Sequence, residues 1–304
     1  MSARDRFAGL RGRLRRGEPM ARHTSWRVGG PAELYYEPEG LEDLGAFLSR
    51  LEPGTPVFWL GLGSNLLVRD GGIPGAVIAT SGRLAAIEPL GGTRVRAGAG
   101  ASCARVARFC ARQGLVGAEF LAGIPGTLGG ALAMNAGAFG GETWERVVAV
   151  ETVDRDGGTH RRGPEDYEIG YRSVRGPEGE WYTAAELQLE RGDAAAAQAR
   201  IRALLARRGA TQPIGEPSCG SVFRNPPGDH AARLIEAAGL KGAHIGGARV
   251  SDKHANFIVN TGGARAAEIE ALIERVRETV ARRFGVELEP EVRIVGVEDR
   301  HAPA

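Results

Sequence analysis

Residues 123–142 read GIPGTLGGALAMNAGAFGGE, and seven of these twenty residues are glycine. Local folding alone rarely requires so many glycines in so short a stretch. A backbone with few side chains can lie against a large, flat, polar ligand, and Asn135 adds a side chain that can hydrogen-bond to it. The stretch therefore predicts a ligand-binding loop.

A second glycine segment, GLGSN at residues 61–65, directly follows the apolar run VFWL at 57–60, which predicts a strand. Glycines after a strand leave backbone N–H groups open to a phosphate. The dinucleotide-binding fingerprint is incomplete because residue 66 is Leu, and the chain contains no GxxxxGK[ST] sequence. A simple tight turn explains this segment equally well.

The third unusual segment is PSCGSVFRNPP at 217–227. Ser221 follows a glycine but lacks the GxSxG frame, which disfavours a serine hydrolase and leaves two alternatives, a proton donor or a turn residue. Further along, Glu291 and Arg293 lie two apart in a predicted strand and therefore on one face.

Four of the five asparagines fall in these segments or in SDKHAN at 251–256, namely Asn65, Asn135, Asn225 and Asn256. This concentration favours a binding site over unrelated turns.

Composition narrows the functional class. The chain has 304 residues, and 39 Lys+Arg against 37 Asp+Glu give a net charge of +2, which disfavours nucleic acid or a membrane surface as the partner. We expect a cytoplasmic protein, since the sequence has neither a membrane-spanning apolar run nor the apolar region of a signal peptide. Cys103, Cys110 and Cys219 are odd in number and lack CxxC spacing, which predicts reduced thiols. The histidines suggest no metal site.

The chain pattern predicts an α+β protein of two domains. Helices are expected at 41–51, 102–113, 194–208 and 265–284, strands at 57–60, 147–154 and 181–189, and a hairpin around Gly91 and Gly92. Residues 165–179 look irregular. The Pro/Gly-rich segment TQPIGEP after the helix at 194–208 places a domain boundary beside that helix, dividing the chain into 1–193 and 194–304.

Six blocks of the sequence, in order over nearly the whole chain, resemble the UDP-N-acetylenolpyruvoylglucosamine reductase family. They are HTSWRVGG (23–30), GLGSNLLV (61–68), IPGTLGG with NAGAFGGE (124–142), GYRS (170–173), GSVFRNP (220–226) and PEVR (290–293). The chain resembles the shorter subfamily, because the stretch between Tyr171 and Ser221 lacks room for the insertion whose tyrosine covers substrate in longer relatives. Arg224 stands where Lys or Gln is also expected, and Asp252 where Glu is common.

The resemblance implies an FAD-binding domain of the p-cresol methylhydroxylase type, with subdomains at about 1–80 and 81–193, followed by a smaller α+β substrate-binding domain. It implies noncovalent FAD as cofactor and NADPH as reductant. The implied catalytic residues are Arg172, Ser221 and Glu291. The implied cofactor-binding residues are Gly61, Gly63, Ser64, Asn65, Leu66, Gly123, Ile124, Pro125, Gly126, Thr127, Gly130, Asn135, Gly137 and Gly140. The implied substrate-binding residues are Tyr171, Arg224, Asn225, Lys253, Asn256 and Arg293.

The implied reaction reduces the enolpyruvyl ether of UDP-N-acetylglucosamine to UDP-N-acetylmuramate for peptidoglycan synthesis. Hydride goes from reduced flavin to C3 and a proton from Ser221 to C2, while Arg172 and Glu291 stabilise the charge that develops at C2 and the carboxylate. Two rival functions are a flavin oxidase of the same fold and a non-enzymatic nucleotide-binding protein. We expect a monomer whose partners are these small molecules.

Overall fold

The computed structural model describes residues 6–299, which contain both helices and strands. The α-helices are α1 (Leu41–Leu48), α2 (Cys103–Arg112), α3 (Leu128–Ala133), α4 (Ala194–Thr211), α5 (Ala231–Ala237) and α6 (Ala266–Phe284). Short 3₁₀ turns occupy Met20–Arg22, Glu119–Gly123, Thr143–Arg146 and Pro164–Asp166.

The strands are mostly short. In chain order they are β1 (Arg13–Pro19), β2 (Pro31–Glu37), β3 (Val57–Leu60), β4 (Leu66–Val68), β5 (Ile73–Ala79), β6 (Ile87–Gly91), β7 (Arg94–Gly98), β8 (Leu115–Val116), β9 (Gly137–Ala138), β10 (Gly141–Glu142), β11 (Val147–Val153), β12 (Thr159–Arg162), β13 (Glu168–Gly170), β14 (Ser173–Arg175), β15 (Trp181–Gln188), β16 (Glu190–Arg191), β17 (His244–Ile245), β18 (Ala248–Val250), β19 (Ile258–Asn260) and β20 (Arg293–Val295).

Two larger sheets organise the first two thirds of the chain. A four-stranded sheet has the order β1-β2-β5-β3, with β3 parallel to β5 and Leu60 opposite Ala79. A five-stranded sheet has the order β12-β11-β15-β7-β6, with antiparallel neighbours throughout. The predicted hairpin at Gly91 and Gly92 is confirmed as the β6–β7 pair.

Smaller pairs of strands complete the structure. β9–β10 and β13–β14 are hairpins, and β8 pairs with β16. β17, β18 and β19 form a three-stranded sheet, and β20 lies parallel to β4 with Arg293 opposite Leu66. The mixed helices and strands confirm the predicted α+β class.

The described chain divides into two units. Unit 1 contains the described residues up to Arg15, Leu34–Gly61 and Gly75–Arg207, and unit 2 contains Arg16–Glu33, Leu62–Pro74 and the described residues from Arg208 onward. This arrangement differs from the contiguous division at 193/194, because two early segments belong with the C-terminal residues. The functional boundary and the subdomains predicted from the sequence stay predictions.

Burial of hydrophobic side chains explains why the two early segments, Arg16–Glu33 and Leu62–Pro74, belong to unit 2. Trp26, Val28 and Leu67 are at most 3% exposed and pack in one core with side chains of α5, α6 and β18. Unit 1 has separate cores, one beneath the five-stranded sheet and one around α1.

The three cysteines are unpaired and buried. Cys103 and Cys110 lie in the core that α2 contributes to, and burial raises the pKa of each thiol to about 12, so both are neutral packing residues. Within residues 6–299, no helix is both long and apolar enough to cross a membrane.

Candidate active site

In unit 1, the glycine-rich stretch begins between α2 and α3 and contains α3. Thr127 caps α3, its hydroxyl accepting a hydrogen bond from Gly130 N at 3.4 Å, while the backbone N–H groups of Gly126 and Thr127 have no hydrogen-bond partner in the described part of the chain. Gly61 lies directly against Thr127, since a Cβ at residue 61 would clash with Thr127 Oγ1. The two glycine segments that the sequence singled out therefore meet at these residues.

In unit 2, residues 62–65 form the loop before β4. The backbone N–H groups of Leu62, Gly63 and Ser64 make no hydrogen bond to any residue between 6 and 299. Gly63 has φ of +62° and lies against the backbone of His23, where a Cβ has no room, so the loop requires glycine here. Ser25 N donates a hydrogen bond to Gly63 O at 3.1 Å, which fixes the backbone of the loop.

These loops fit FAD chemically. A flavin dinucleotide carries an anionic diphosphate, and backbone N–H groups without protein partners are suitable donors to it. Residues 62–64 in unit 2 and residues 126 and 127 in unit 1 each supply such donors. Of the other predicted cofactor-binding residues, Leu66, Gly123 and Ile124 are buried, whereas Pro125, Gly130 and Gly140 are exposed.

Arg172 lies in unit 1, in the two-residue turn between β13 and β14, with φ of +53°. Its guanidinium donates from Nη1 to Asn135 O at 3.2 Å and from Nη2 to Gly137 O at 2.9 Å. It also stacks on Tyr171, with Cζ 5.0 Å from the ring centroid. The Arg172 side chain is 15% exposed, whereas Tyr171 is 50% exposed. The structure thus holds this cation beside the glycine-rich stretch.

The side chain of Asn135 is buried and occupied by protein groups. Asn135 Oδ1 accepts from Trp144 N at 3.1 Å, and Nδ2 donates to Glu142 Oε2 at 2.8 Å and to Gly170 O at 3.2 Å. These bonds connect the β9–β10 hairpin to the β13–β14 hairpin. Glu142 ends the glycine-rich stretch but was not predicted to be a site residue. Its partners are Asn135, 7 residues before it, and Arg172, 30 residues after it.

Unit 2 brings the other two predicted catalytic residues onto neighbouring strand-like segments. Glu291 N donates to Val222 O at 2.7 Å, so Glu291 lies beside the residue that follows Ser221. Asn65 Nδ2 donates to Glu291 O at 3.0 Å, which ties the loop at 62–65 to the same place. Burial, followed by the nearby Glu291 carboxylate, raises the pKa of the Cys219 thiol well above its ordinary value. Cys219, two residues before Ser221, is therefore neutral.

Asn256 fixes the backbone that carries Ser221. It is 3% exposed, its backbone carbonyl accepts from Val222 N at 2.9 Å, and its side chain both accepts from Phe223 N at 3.0 Å and donates to Phe223 O at 2.8 Å. This geometry gives Asn256 a structural task that the sequence pattern did not indicate.

The remaining predicted substrate-binding residues also have protein partners in unit 2. Arg224 Nη1 is 3.6 Å from Glu289 Oε2, Asn225 Oδ1 accepts from Ala231 N at 3.1 Å, Lys253 Nζ donates to Gly209 O at 2.6 Å, and Arg293 N donates to Asn65 O at 3.1 Å. Their roles toward substrate stay predictions.

Family models match both parts of the chain. The model described as FAD binding domain matches residues 32–163, and the model described as UDP-N-acetylenolpyruvoylglucosamine reductase, C-terminal domain, matches residues 212–295. These matches confirm the predicted order of an FAD-binding domain followed by a C-terminal domain, and they confirm FAD as the cofactor.

Named relatives match the chain over nearly its whole length. A UDP-N-acetylenolpyruvoylglucosamine reductase of Alkalilimnicola ehrlichii is 69% identical over 94% of this chain and 95% of its own length. One of Methylococcus capsulatus is 65% identical over 97% of each chain. The crystal structure of the UDP-N-acetylenolpyruvylglucosamine reductase of Thermus caldophilus superposes with a TM-score of 0.80 at 36% identity, covering 93% of this chain and 98% of that one.

Identity of this extent over almost complete chains, together with the match of the C-terminal model, confirms the resemblance seen in the six sequence blocks. The chain belongs to the UDP-N-acetylenolpyruvoylglucosamine reductase family.

Proposed function

We propose that this flavoenzyme reduces the enolpyruvyl ether of UDP-N-acetylglucosamine to UDP-N-acetylmuramate, a peptidoglycan precursor, with NADPH as the electron source. The observation that carries the proposal is the hydrogen bond between Glu291 N and Val222 O, because it places a carboxylate-bearing segment beside Ser221 in the unit that also carries the loop at 62–65. Full-length relatives named for this reduction support it.

Bound FAD would supply the hydride-transfer chemistry that links oxidation of NADPH to reduction of the enolpyruvyl group at C3. The residues of the chain stabilise the charge that develops on the substrate and supply the proton. Addition at C3 builds negative charge on C2 and on the carboxylate, and the Arg172 guanidinium suits that planar anion because it is always charged and presents paired donors. Ser221 gives its hydroxyl proton to C2, which completes the addition of one hydride and one proton across the double bond.

Glu291 assists this proton transfer. A serine hydroxyl is a weak acid, so a proton donor of this kind needs neighbouring groups that stabilise the alkoxide or return a proton to it. Glu291 is attached through its backbone to the residue after Ser221, and Asn65 holds the same backbone from the other side.

Binding roles follow from the same assignment. The cofactor is held by residues 61–66 and by residues 123–140. The backbone N–H groups of residues 62–64, 126 and 127 have no hydrogen-bond partner among residues 6–299, and such groups favour a diphosphate. Tyr171, Arg224, Asn225, Lys253 and Arg293 contact substrate, whereas the engaged side chain of Asn256 assigns it to positioning the Ser221 segment. We further propose a monomeric, cytoplasmic enzyme with a functional boundary near 193/194.

Stopped-flow absorbance of the flavin in a Ser221→Ala variant tests the proposal. We expect reduction by NADPH to stay near the wild-type rate, because the serine has no task in that step. Reoxidation by the enolpyruvyl substrate should fall by at least about 10²-fold, the lower range for loss of a positioned proton donor.

Ser218→Ala is the matched control, since Ser218 lies in the same segment, opposite Val259, and has no assigned role in proton transfer. It should reoxidise like wild type. Normal reoxidation of Ser221→Ala would reject Ser221 as the donor. A wild-type enzyme that the enolpyruvyl substrate does not reoxidise would reject the function itself.

A further inference from the structure

The carboxylate of Glu142 bridges two residues that surround the proposed catalytic arginine. Its Oε2 accepts a hydrogen bond from Asn135 Nδ2 at 2.8 Å, and its Oε1 lies 3.9 Å from Arg172 Nη1. Glu142 sits at the end of the β9–β10 hairpin, opposite Gly137. One side chain therefore contacts the guanidinium directly and also holds the residue whose carbonyl receives the guanidinium.

Arg172 depends on this surrounding structure for its orientation. Its own backbone is in the left-handed region, as is that of Asn135, with φ of +53° and +45°. A long arginine side chain loses much rotamer freedom when it is held in one direction. The carbonyls of Asn135 and Gly137 accept its two terminal nitrogens, but neutral carbonyls alone hold a cation less strongly than a nearby carboxylate does.

Partial burial strengthens the electrostatic attraction between Glu142 and Arg172. The side chains of Arg172 and Glu142 are 15% and 35% exposed, so solvent screens their attraction less than it screens a surface pair. By contrast, the nearby pair of Arg175 and Glu168 is 82% and 83% exposed with a 4.0 Å separation. The two pairs have similar distances but different surroundings, which provides a matched comparison.

We propose that Glu142 is a positioning residue for Arg172, fixing the plane of its guanidinium before the enolpyruvyl carboxylate arrives. Glu142 acts directly through its charge and indirectly by holding Asn135, whose carbonyl accepts from Nη1. The inference rests on the proposed function, because it requires Arg172 to serve the reaction with the enolpyruvyl substrate. It predicts that Glu142 affects turnover of that substrate far more than reduction by NADPH.

The test measures both half-reactions in the FAD-loaded enzyme by anaerobic stopped flow. In Glu142→Ala, reduction by NADPH should stay within about 2-fold of wild type, while reoxidation at saturating enolpyruvyl substrate should fall at least about 10-fold, since misplaced reacting groups cost one to two orders of magnitude. Glu142→Gln keeps an oxygen for Asn135 but loses the charge, so its rate should lie between those of wild type and Glu142→Ala. Glu168→Ala should reoxidise like wild type.

A double-mutant cycle with Arg172→Ala separates positioning from general support of the fold. If Glu142 acts through Arg172, adding Glu142→Ala to Arg172→Ala slows reoxidation no further. Multiplicative losses, equal losses in both half-reactions, or wild-type reoxidation of Glu142→Ala would each overturn the inference.

Flavin content and Tm accompany each variant. If Glu142→Ala fails to hold FAD, Glu142→Gln takes its place in the cycle, and loss of FAD from both variants also overturns the inference in favour of a purely structural role. Failure of the wild-type enzyme to be reoxidised by the substrate refutes the proposed function instead, so the two failures remain distinguishable.

Discussion

The carboxylate of Asp43 is 4% exposed in unit 1 and is surrounded by hydrogen-bond donors. Burial raises the pKa of Asp43, but the donors outweigh burial, so the net pKa lies below its ordinary value. The donors are the Tyr36 hydroxyl and the backbone N–H groups of Arg11, Gly12 and Glu39. Because the folded-state pKa is depressed, Asp43 stabilises the fold above the unfolded-state pKa of about 3.9, and this contribution is lost as pH falls through the folded-state value.

We therefore expect Asp43→Asn to lower the free energy of unfolding at pH 7 by about 2–3 kcal/mol, since the amide NH₂ faces donors that need an acceptor. Urea unfolding at pH 7 and at pH 3.5 measures this, and the deficit should be smaller at the lower pH. Glu42→Gln removes a neighbouring carboxylate that is 89% exposed and should change stability by less than about 0.5 kcal/mol. A deficit that grows on acidification would contradict this account.

Single residues also show where sequence patterns stop being informative. Ser102 is the first residue of the helix predicted at 102–113, and it caps α2 by accepting a hydrogen bond from Arg105 N, as a serine at the start of a helix commonly does. The family resemblance implied that Asn256 binds substrate, and the structure shows that its side chain bonds to the backbone of Phe223, 33 residues away. A cap is a local interaction that the sequence contains, whereas the partner of Asn256 exists only after the chain has folded.

At the scale of elements, the turn at residues 23–28 supports the loop at 62–65. Trp26 is fully buried in unit 2, its Nε1 donates to Ile258 O at 2.7 Å, and its carbonyl accepts from Asn260 Nδ2 at 2.9 Å. One residue earlier, Ser25 donates through its backbone N–H to Gly63 O. Anchoring of the indole therefore also fixes the backbone that holds Gly63.

Trp26→Ala should lower the free energy of unfolding by about 3–5 kcal/mol through loss of a large buried side chain. Trp26→Phe keeps most of the packing but leaves Ile258 O without its donor, so a loss of about 1–3 kcal/mol is expected. Urea unfolding of the apoprotein measures both, and FAD titration should show weaker binding in Trp26→Ala. Equal stability of wild type and Trp26→Ala would show that the anchor is unimportant.

Elements with strong periodicity or typical turn residues were predictable, and others were not. The β6–β7 hairpin carries Gly91 and Gly92 at its turn and was predicted from them. The β13–β14 hairpin was interpreted as irregular because its two-residue turn is Tyr171 and Arg172, without the Gly, Asn or Asp that such turns favour. The final strand was predicted to include both Glu291 and Arg293, but β20 covers only Arg293–Val295 and leaves Glu291 outside it.

At the scale of the whole molecule, the α+β class and the family were predictable because six motif blocks occur in order along the chain. It was not predictable from the sequence which chain segments make up each of the two units. Trp26 and Leu67 share a core with Phe223, about 200 and 160 residues further along the chain, and no linker composition marks such a return. Periodicity shows that a side chain is buried, but it does not identify the distant residues that bury it.

FAD binding should raise the free energy of unfolding, because the backbone N–H groups of residues 62–64 and of residues 126 and 127 are available to it in the native state. A ligand that binds only the native state adds about 2.7 kcal/mol at a free concentration of 100 times Kd, which corresponds to a rise in Tm of roughly 4 °C for a chain of this size. Acid precipitation should release the flavin into the supernatant, because neither residues 61–65 nor residues 123–142 contain a cysteine or histidine to link it.

Riboflavin is the matched control for the role of the diphosphate. It carries the same ring system without phosphate, so at equal concentration it leaves the N–H groups of residues 62–64 unbonded and should raise the Tm of the apoprotein by much less. Scanning calorimetry of the apoprotein with each ligand measures the difference. Equal shifts with FAD and riboflavin would show that these N–H groups do not bind the diphosphate, and colour retained in the acid pellet would show a covalent flavin.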